Sequence, residues 1–519
     1  MDRKLIRSYF VLAALVASIA FAVLTRGGYM REFWLPIALL IFVTGAYFFI
    51  TRKKELRLRS VWKMDIPLLV FLGWAILTYF TSVNRERTIY ELVRLLALVA
   101  VFLLASYGLQ GEKLRKYFLV CVLGIGFLEA LYGLLSFASG EQLLDFYWLQ
   151  DITLGRVSGT FLNNNHFAGY MEMATLAGFG LAAGVSVSDP RERLAKRVII
   201  IMACAITLTG LVLSVSRGSW ISFLFGCALL VPLYSWKKRP PFARAALFIL
   251  LLLVVAGAFV AGSEMDILQR RVKKMVRVYE DDQLTRVSRM SIWKSSVDMI
   301  KDDPVMGKGW GTYERAFPAY RKAGWLRTAR FAHNDYLQIA AEAGIPGLLF
   351  FLAFIFMLFK KGIESLTKGQ GGPMQRTLPG VLAALGAILA HGLVDFNLMI
   401  PSSSITFFAL AGIVSGHARE TLEPQIEGEE ASKQKGEKAL VGLLLAAFAF
   451  RILQSWSAEI YYQKGEDLEK QDNYGNAVTM YEKAINLLPR RAEYHHALGS
   501  VLFDTYLQDK SSVGALKKA

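Results

Sequence analysis

The sequence is divided into apolar blocks of about 17 to 23 residues, parted by polar connections. A helix rising roughly 1.5 Å per residue needs about this length to cross a hydrocarbon core of about 30 Å, and in lipid the helix satisfies every backbone N–H and C=O internally. The fold class expected is therefore all-α, a polytopic transmembrane helical bundle of about 12 to 13 spans. Blocks fall near residues 8 to 24, 34 to 50, 66 to 82, 91 to 108, 116 to 138, 166 to 186, 197 to 215, 219 to 235, 244 to 262, 345 to 360, 378 to 396, 402 to 418 and 438 to 456. With 54% hydrophobic and 19% charged residues, the chain is far from the composition of a soluble domain. The first block follows Arg3, Lys4 and Arg7 and shows no small-residue cleavage site, so it reads as a retained span. Cys121, Cys204 and Cys227 lie inside blocks without metal-ligand spacing and read as core hydrophobes.

Lys and Arg crowd alternate short loops: Arg52 to Lys63, Lys113 to Lys116, Arg191 to Arg197, Lys237 to Arg244, and Lys360 to Arg376. The positive-inside rule then puts the N-terminus in the cytoplasm and the C-terminus outside. The stretch 263–332, with fifteen Lys or Arg against nine Asp or Glu, falls outside by the same count. A loop this long is exempt from the rule, and its charge suits an anionic partner such as a lipid pyrophosphate or a phospholipid surface. An amphipathic loop helix lying on anionic lipid is the plainer alternative.

After the last block, Gly465, Ala477, Tyr481, Ala484 and Pro489 stand at tetratricopeptide spacings, and Leu498 and Gly499 open a second copy that stays incomplete. The expected domains are a membrane domain over 1–456 and an external TPR-like segment over 457–519, which suits a protein partner. The stretch 420–438 is polar and free of aromatics, and reads as a cytoplasmic linker.

Three polar clusters sit where external loops meet spans. The first is Arg156-Val-Ser-Gly-Thr-Phe-Leu-Asn-Asn-Asn-His166, in which Asn163, Asn165 and His166 suit helix capping as well as ligand contact, and Arg156 is the better substrate candidate. The second is Ser214-Val-Ser-Arg217-Gly-Ser-Trp220, a tight turn whose arginine either snorkels to lipid phosphate or grips a pyrophosphate with its planar fork. The third holds Arg286, Arg289 and Trp293, then Gly307-Lys-Gly-Trp-Gly311, then His333-Asn-Asp-Tyr-Leu-Gln338 and Glu342-Ala-Gly-Ile-Pro346. Gly344 suits the end of a brief helix and Pro346 the first turn of the next span.

In this order and spacing, over about 156–359, the clusters resemble the O-antigen ligase and polymerase superfamily. The resemblance implies an inverting, metal-independent glycosyltransferase of the membrane-embedded C type, without cofactor, in a bacterial inner membrane. Its donor would be a polyprenyl-diphosphate-linked glycan, and its essential residues map to Arg217, Arg289 and His333, with Arg286 able to stand in for Arg289. Imidazole titrates near neutral pH, so His333 suits removal of a proton from an acceptor hydroxyl. Arg217 and Arg289 suit the charge on the departing diphosphate, a task a divalent ion performs elsewhere.

Asn334, Tyr320, Arg321 and Glu342 are further candidates for glycan contact or support. The acidic runs Glu280-Asp281-Asp282 and Asp302-Asp303 read as turn and capping residues, so no metal site is expected. Glu129, Glu172, His391 and Asp395 fall within blocks and read as interhelical pairs or the lower wall of a donor pocket. The acceptor stays open between a growing glycan, a lipid A core and a protein hydroxyl, and no nucleic acid is expected. A lipid-linked sugar flippase and a scaffold acting through the tail are the competing classes.

Overall fold

The computed structural model describes residues 3–51, 65–144, 155–235, 289–321, 329–369, 371–423, 435–489 and 491–508. Every regular element among them is helical, in the order α1 Arg3–Leu24, α2 Arg31–Thr51, α3 Ile66–Leu77, α4 Arg85–Gly108, α5 Glu112–Ser139, α6 Asn164–Ala183, α7 Pro190–Leu213 and α8 Arg217–Ser235. The order continues with α9 Arg289–Asp302, α10 Tyr313–Ala316, α11 Asp335–Lys368, α12 Pro373–His391, α13 Pro401–Leu422, α14 Lys435–Lys470, α15 Tyr474–Leu487 and α16 Ala492–Gln508. The span expected at 244 to 262 lies outside the described residues, as do Arg286 and the acidic run 280–282. Each of the other expected spans falls on a helix.

Among the described residues, seven helices are long and apolar enough to cross a membrane. Helices α6, α12 and α13 are instead the inner ones, buried along most of their length. Small residues let them meet closely, with Gly180 of α6 against the backbone of Gly380 in α12.

The chain forms two compact units, Met1–Tyr29 with Thr51–Ser432, and Met30–Ile50 with Lys433–Ala519. In the first, one end of the bundle gathers bases. Arg115 of α5, fully buried, holds Glu420 through two hydrogen bonds of 2.8 and 2.6 Å. Arg419 lies 3.8 Å over the Tyr107 ring. The opposite end receives the starts of α6, α8, α11 and α13 and the close of α7 and α12, and all three polar clusters lie there.

Helix α11 breaks once, at Gly344, whose φ of 70° and ψ of 179° separate a short helix from the long span beyond. A side chain at Gly344 would run into the Val305 carbonyl, and the Ile345 N–H is tied to the Pro304 carbonyl at 2.7 Å. Over the short helix lies a small core of Ile292, Met299, Tyr313, Phe317 and Ala332, so α9 and the segment around α10 form a packed cap.

In the second unit α14 runs unbroken for 36 residues. Tyr481 of α15 is buried against Gly465, whose missing Cβ would stand 2.5 Å from the ring. Ala477, Ala497 and Val501 complete that core, and Ala458, Ala484 and Tyr494 form a second one.

Candidate functional site

Each polar cluster is shaped by its own local bonds. Asn163 caps α6 by accepting from the Asn165 N–H, and Asn334 caps α11 by accepting from the N–H groups of Tyr336 and Leu337. Ser216 caps α8 through the Ser219 N–H, which leaves Arg217 at the first helical position and exposed. Two turn residues adopt left-handed backbone without being glycine, Val215 at φ 55° and His333 at φ 50°. For a β-branched valine this is a costly conformation, and such residues gather where surrounding structure over-determines a functional geometry.

The first two clusters meet directly. The Val157 N–H donates to the Leu213 carbonyl at 3.2 Å, and Asn164 donates to the Ser214 carbonyl at 2.7 Å, which brings exposed Arg156 beside the Arg217 turn. Glu129 of α5 anchors that loop by accepting from the Thr160 N–H and hydroxyl. The loop can close on this carboxylate because Gly159, at φ 56°, has no side chain to strike it.

The joining piece is the segment 392–400 between α12 and α13. Its Asp395, 1% exposed, accepts from Asn165 of the first cluster at 2.7 Å and from Arg289 of the third at 3.1 Å. His333 Nδ1 lies 3.5 Å from the other oxygen of the same carboxylate. Asn397 meets His166 at 3.1 Å, Asn334 donates to the Leu393 carbonyl, and the Asp335 N–H donates to the Gly392 carbonyl. The second cluster touches the same segment, since Gly218, next to Arg217, packs on His391 and Val394. Burial pushes the Asp395 carboxyl up, but the facing His333 ring and the charges of His166, His391 and Arg289 outweigh it and hold the group well below the usual carboxylate range. Arg289 and His333 therefore face Asp395 directly, and Arg156 and the Arg217 turn lie at the same end of the bundle.

In sequence, Asp395 reads only as an interhelical partner or part of the lower wall of a donor pocket. That reading places it inside a span ending at 396, whereas α12 stops at His391 and the aspartate stands in the connection. The available signal was Pro401, a first-turn residue that marks a helix start and so frees the preceding stretch, with Asp395 and Asn397, to be a loop.

Other candidates serve the scaffold. Glu342, 1% exposed, has its carboxylate occupied by the N–H groups of Gly311 and Tyr313 and by Gln338, so it fastens the Gly307–Gly311 turn to α11. Of the two roles expected for it, glycan contact or support, these bonds fit support. Asn334 is likewise spent on its cap. Tyr320 donates to Asp302, and its ring lies 5.2 Å from the Lys308 ammonium. Arg321 is exposed at the edge of the described segment. Lys308 bonds both Asp302 and Asp303, which answers the acidic pair with an ammonium, and these bonds lower Asp302 below the usual range.

A family model described as O-antigen ligase matches residues 202–352. Over that stretch the chain is similar to the O-antigen ligase family. Arg217, Arg289 and His333 lie within the matched stretch, whereas Asp395, Asn165 and His166, which complete the cluster, lie outside it. The apolar helices together with the similarity to the O-antigen ligase family point to a multi-pass membrane protein of a bacterial envelope. No match is found among curated proteins.

Proposed function

We propose that the protein transfers a glycan from a polyprenyl diphosphate to an acceptor hydroxyl at the outer face of a bacterial inner membrane, without a metal or cofactor. The observation that carries this reading is the grouping of His333 and Arg289 on buried Asp395. With Nδ1 turned to Asp395, the Nε2 nitrogen of His333 is the one left to take the acceptor's proton. The acceptor oxygen attacks the anomeric carbon from the face opposite the leaving group, so the new bond is inverted. The old carbon–oxygen bond breaks toward the diphosphate, and its negative charge falls to Arg217 and Arg289. Arg156, and Arg286 in the undescribed part of the long loop, are further basic residues for the same anion.

The outer location is supported by charge. The end opposite the cluster carries Arg115, Lys116, the run Arg191–Arg197, Lys360, Lys361 and Arg376, as expected of a cytoplasmic face. The helical tail, read as TPR-like, suits a polypeptide partner or a polymer-export complex, and polymerisation or ligation of an extracellular polysaccharide ranks ahead of glycosylation of a protein. Mass spectrometry of the surface glycans with and without His333→Ala tests the reading. Shortened chains identify a polymerase, loss of attachment to a core or protein identifies a ligase, and an unchanged profile in the variant contradicts glycan transfer.

A further inference from the structure

A row of rings leads away from His333. Its imidazole meets Phe396 edge-on at 4.7 Å, and Phe331 stacks on Phe396 at 4.4 Å and 16°. Tyr29, at the end of the turn after α1, stands 6.3 Å from Phe331 at 60°. The Arg330 guanidinium lies 4.6 Å over Tyr29 and 5.8 Å over Phe331, and its Nε is 3.6 Å from a Glu314 oxygen. Phe396 is buried, but Tyr29, Phe331 and Glu314 are partly open and Arg330 is exposed. Phe396 belongs to the segment that holds Arg289, whereas Tyr29, Glu314, Arg330 and Phe331 come from other elements.

We propose that Tyr29, Phe331, Arg330 and Glu314 form a subsite for a pyranose ring of the acceptor glycan. The proposal rests on the transfer reaction given above. A pyranose has an apolar C–H face and a rim of hydroxyls, so it suits the partly open Tyr29 ring, one face of which Arg330 covers, with the Arg330 fork and the Glu314 carboxylate beside it. Other ligands fit less well: a phosphate would meet the Glu314 charge, and an acyl chain would leave the Arg330 and Glu314 polar atoms unused. The acceptor is the appropriate saccharide because the row ends on His333, the group that takes the acceptor's proton. The diphosphate-bearing donor belongs with the two arginines.

The test uses the full chain in lipid nanodiscs and saturation-transfer NMR with methyl glycosides of glucose, galactose, N-acetylglucosamine and heptose. At least one glycoside is expected to receive saturation on its ring C–H protons. Tyr29→Ala should weaken its affinity about tenfold, the scale of one aromatic contact, and Tyr29→Trp should restore it. Glu314→Gln, at a half-exposed position, should weaken binding several-fold with the thermal midpoint unchanged. Binding of no glycoside, or affinities unaltered by both Tyr29→Ala and Glu314→Gln, overturns the subsite. Release of polyprenyl diphosphate from a labelled donor, dependent on His333, is measured in parallel. If release persists while glycoside binding ignores Tyr29 and Glu314, the subsite alone is wrong. If wild-type protein releases none, the transfer reading falls and the subsite with it.

Discussion

Replacing Asp395 by Asn keeps the shape of the side chain and removes its charge. The carbonyl oxygen can still accept from Asn165, but the ionic bond from Arg289 and the charge facing His333 are lost. A hydrogen bond involving an ionised partner contributes roughly 1.5 to 3 kcal/mol, so losing the one from Arg289 together with the weaker attraction to His333, whose Nδ1 stands 3.5 Å away, costs about 3 to 4 kcal/mol. If both matter to the transition state, the transfer rate should fall roughly 100- to 1,000-fold. Stability should suffer less, because Arg289 is 44% exposed and regains water once released. The assay is His333-dependent release of polyprenyl diphosphate in proteoliposomes, with thermal unfolding alongside.

The pH dependence follows from the sign of the shift. The folded-state pKa of Asp395 is depressed, so its contribution to stability is fully present above the ordinary aspartate value of about 4 and is lost as pH falls through its lower folded value. Between about pH 5 and 8 the residue stays charged, and a rate limb in that window must come from another group. An Asp395→Asn variant that folds and keeps more than half of the wild-type rate would refute this reasoning.

Gly344→Ala should lower the thermal midpoint by several degrees or prevent folding, because alanine must hold φ near 70° and push against the Val305 carbonyl; an unchanged melting curve would contradict the kink. Arg217→Ala should leave unfolding unaltered, since the side chain is exposed, yet reduce transfer at least tenfold, with Arg217→Lys recovering only part; equal rates for wild type and Ala would remove Arg217 from the anion site. A chelator such as EDTA should leave the rate of diphosphate release unchanged, because guanidinium groups carry the leaving-group charge; a loss restored by added Mg²⁺ would point to a metal.

The membrane helices were legible in the sequence because lipid imposes one requirement along a whole block, and twenty apolar residues announce it locally. The grouping of Arg217, Arg289 and His333 at one end of the bundle was expected from the family resemblance that three short motifs carry. Asp395 was not, since it stands in the run His391-Gly-Leu-Val-Asp-Phe-Asn-Leu-Met-Ile400, which reads as the end of a span. Its partners Arg289 and Asn165 are 106 and 230 residues away, and no local pattern foretells such a pairing. Glu342 illustrates the opposite difficulty. A carboxylate near a motif looks available in sequence, and only the folded turn of Gly307–Gly311 shows that backbone N–H groups have taken it.

The most direct measurement reconstitutes the purified chain in vesicles with a labelled polyprenyl-diphosphate glycan and follows both the sugar–phosphate bond and the side of the bilayer on which the glycan resides. Wild type is expected to cleave the bond and lengthen or attach an acceptor, and His333→Ala to leave the donor intact. Movement of the glycan across the bilayer with the bond unbroken, equal in wild type and His333→Ala, would contradict transfer and identify a transporter.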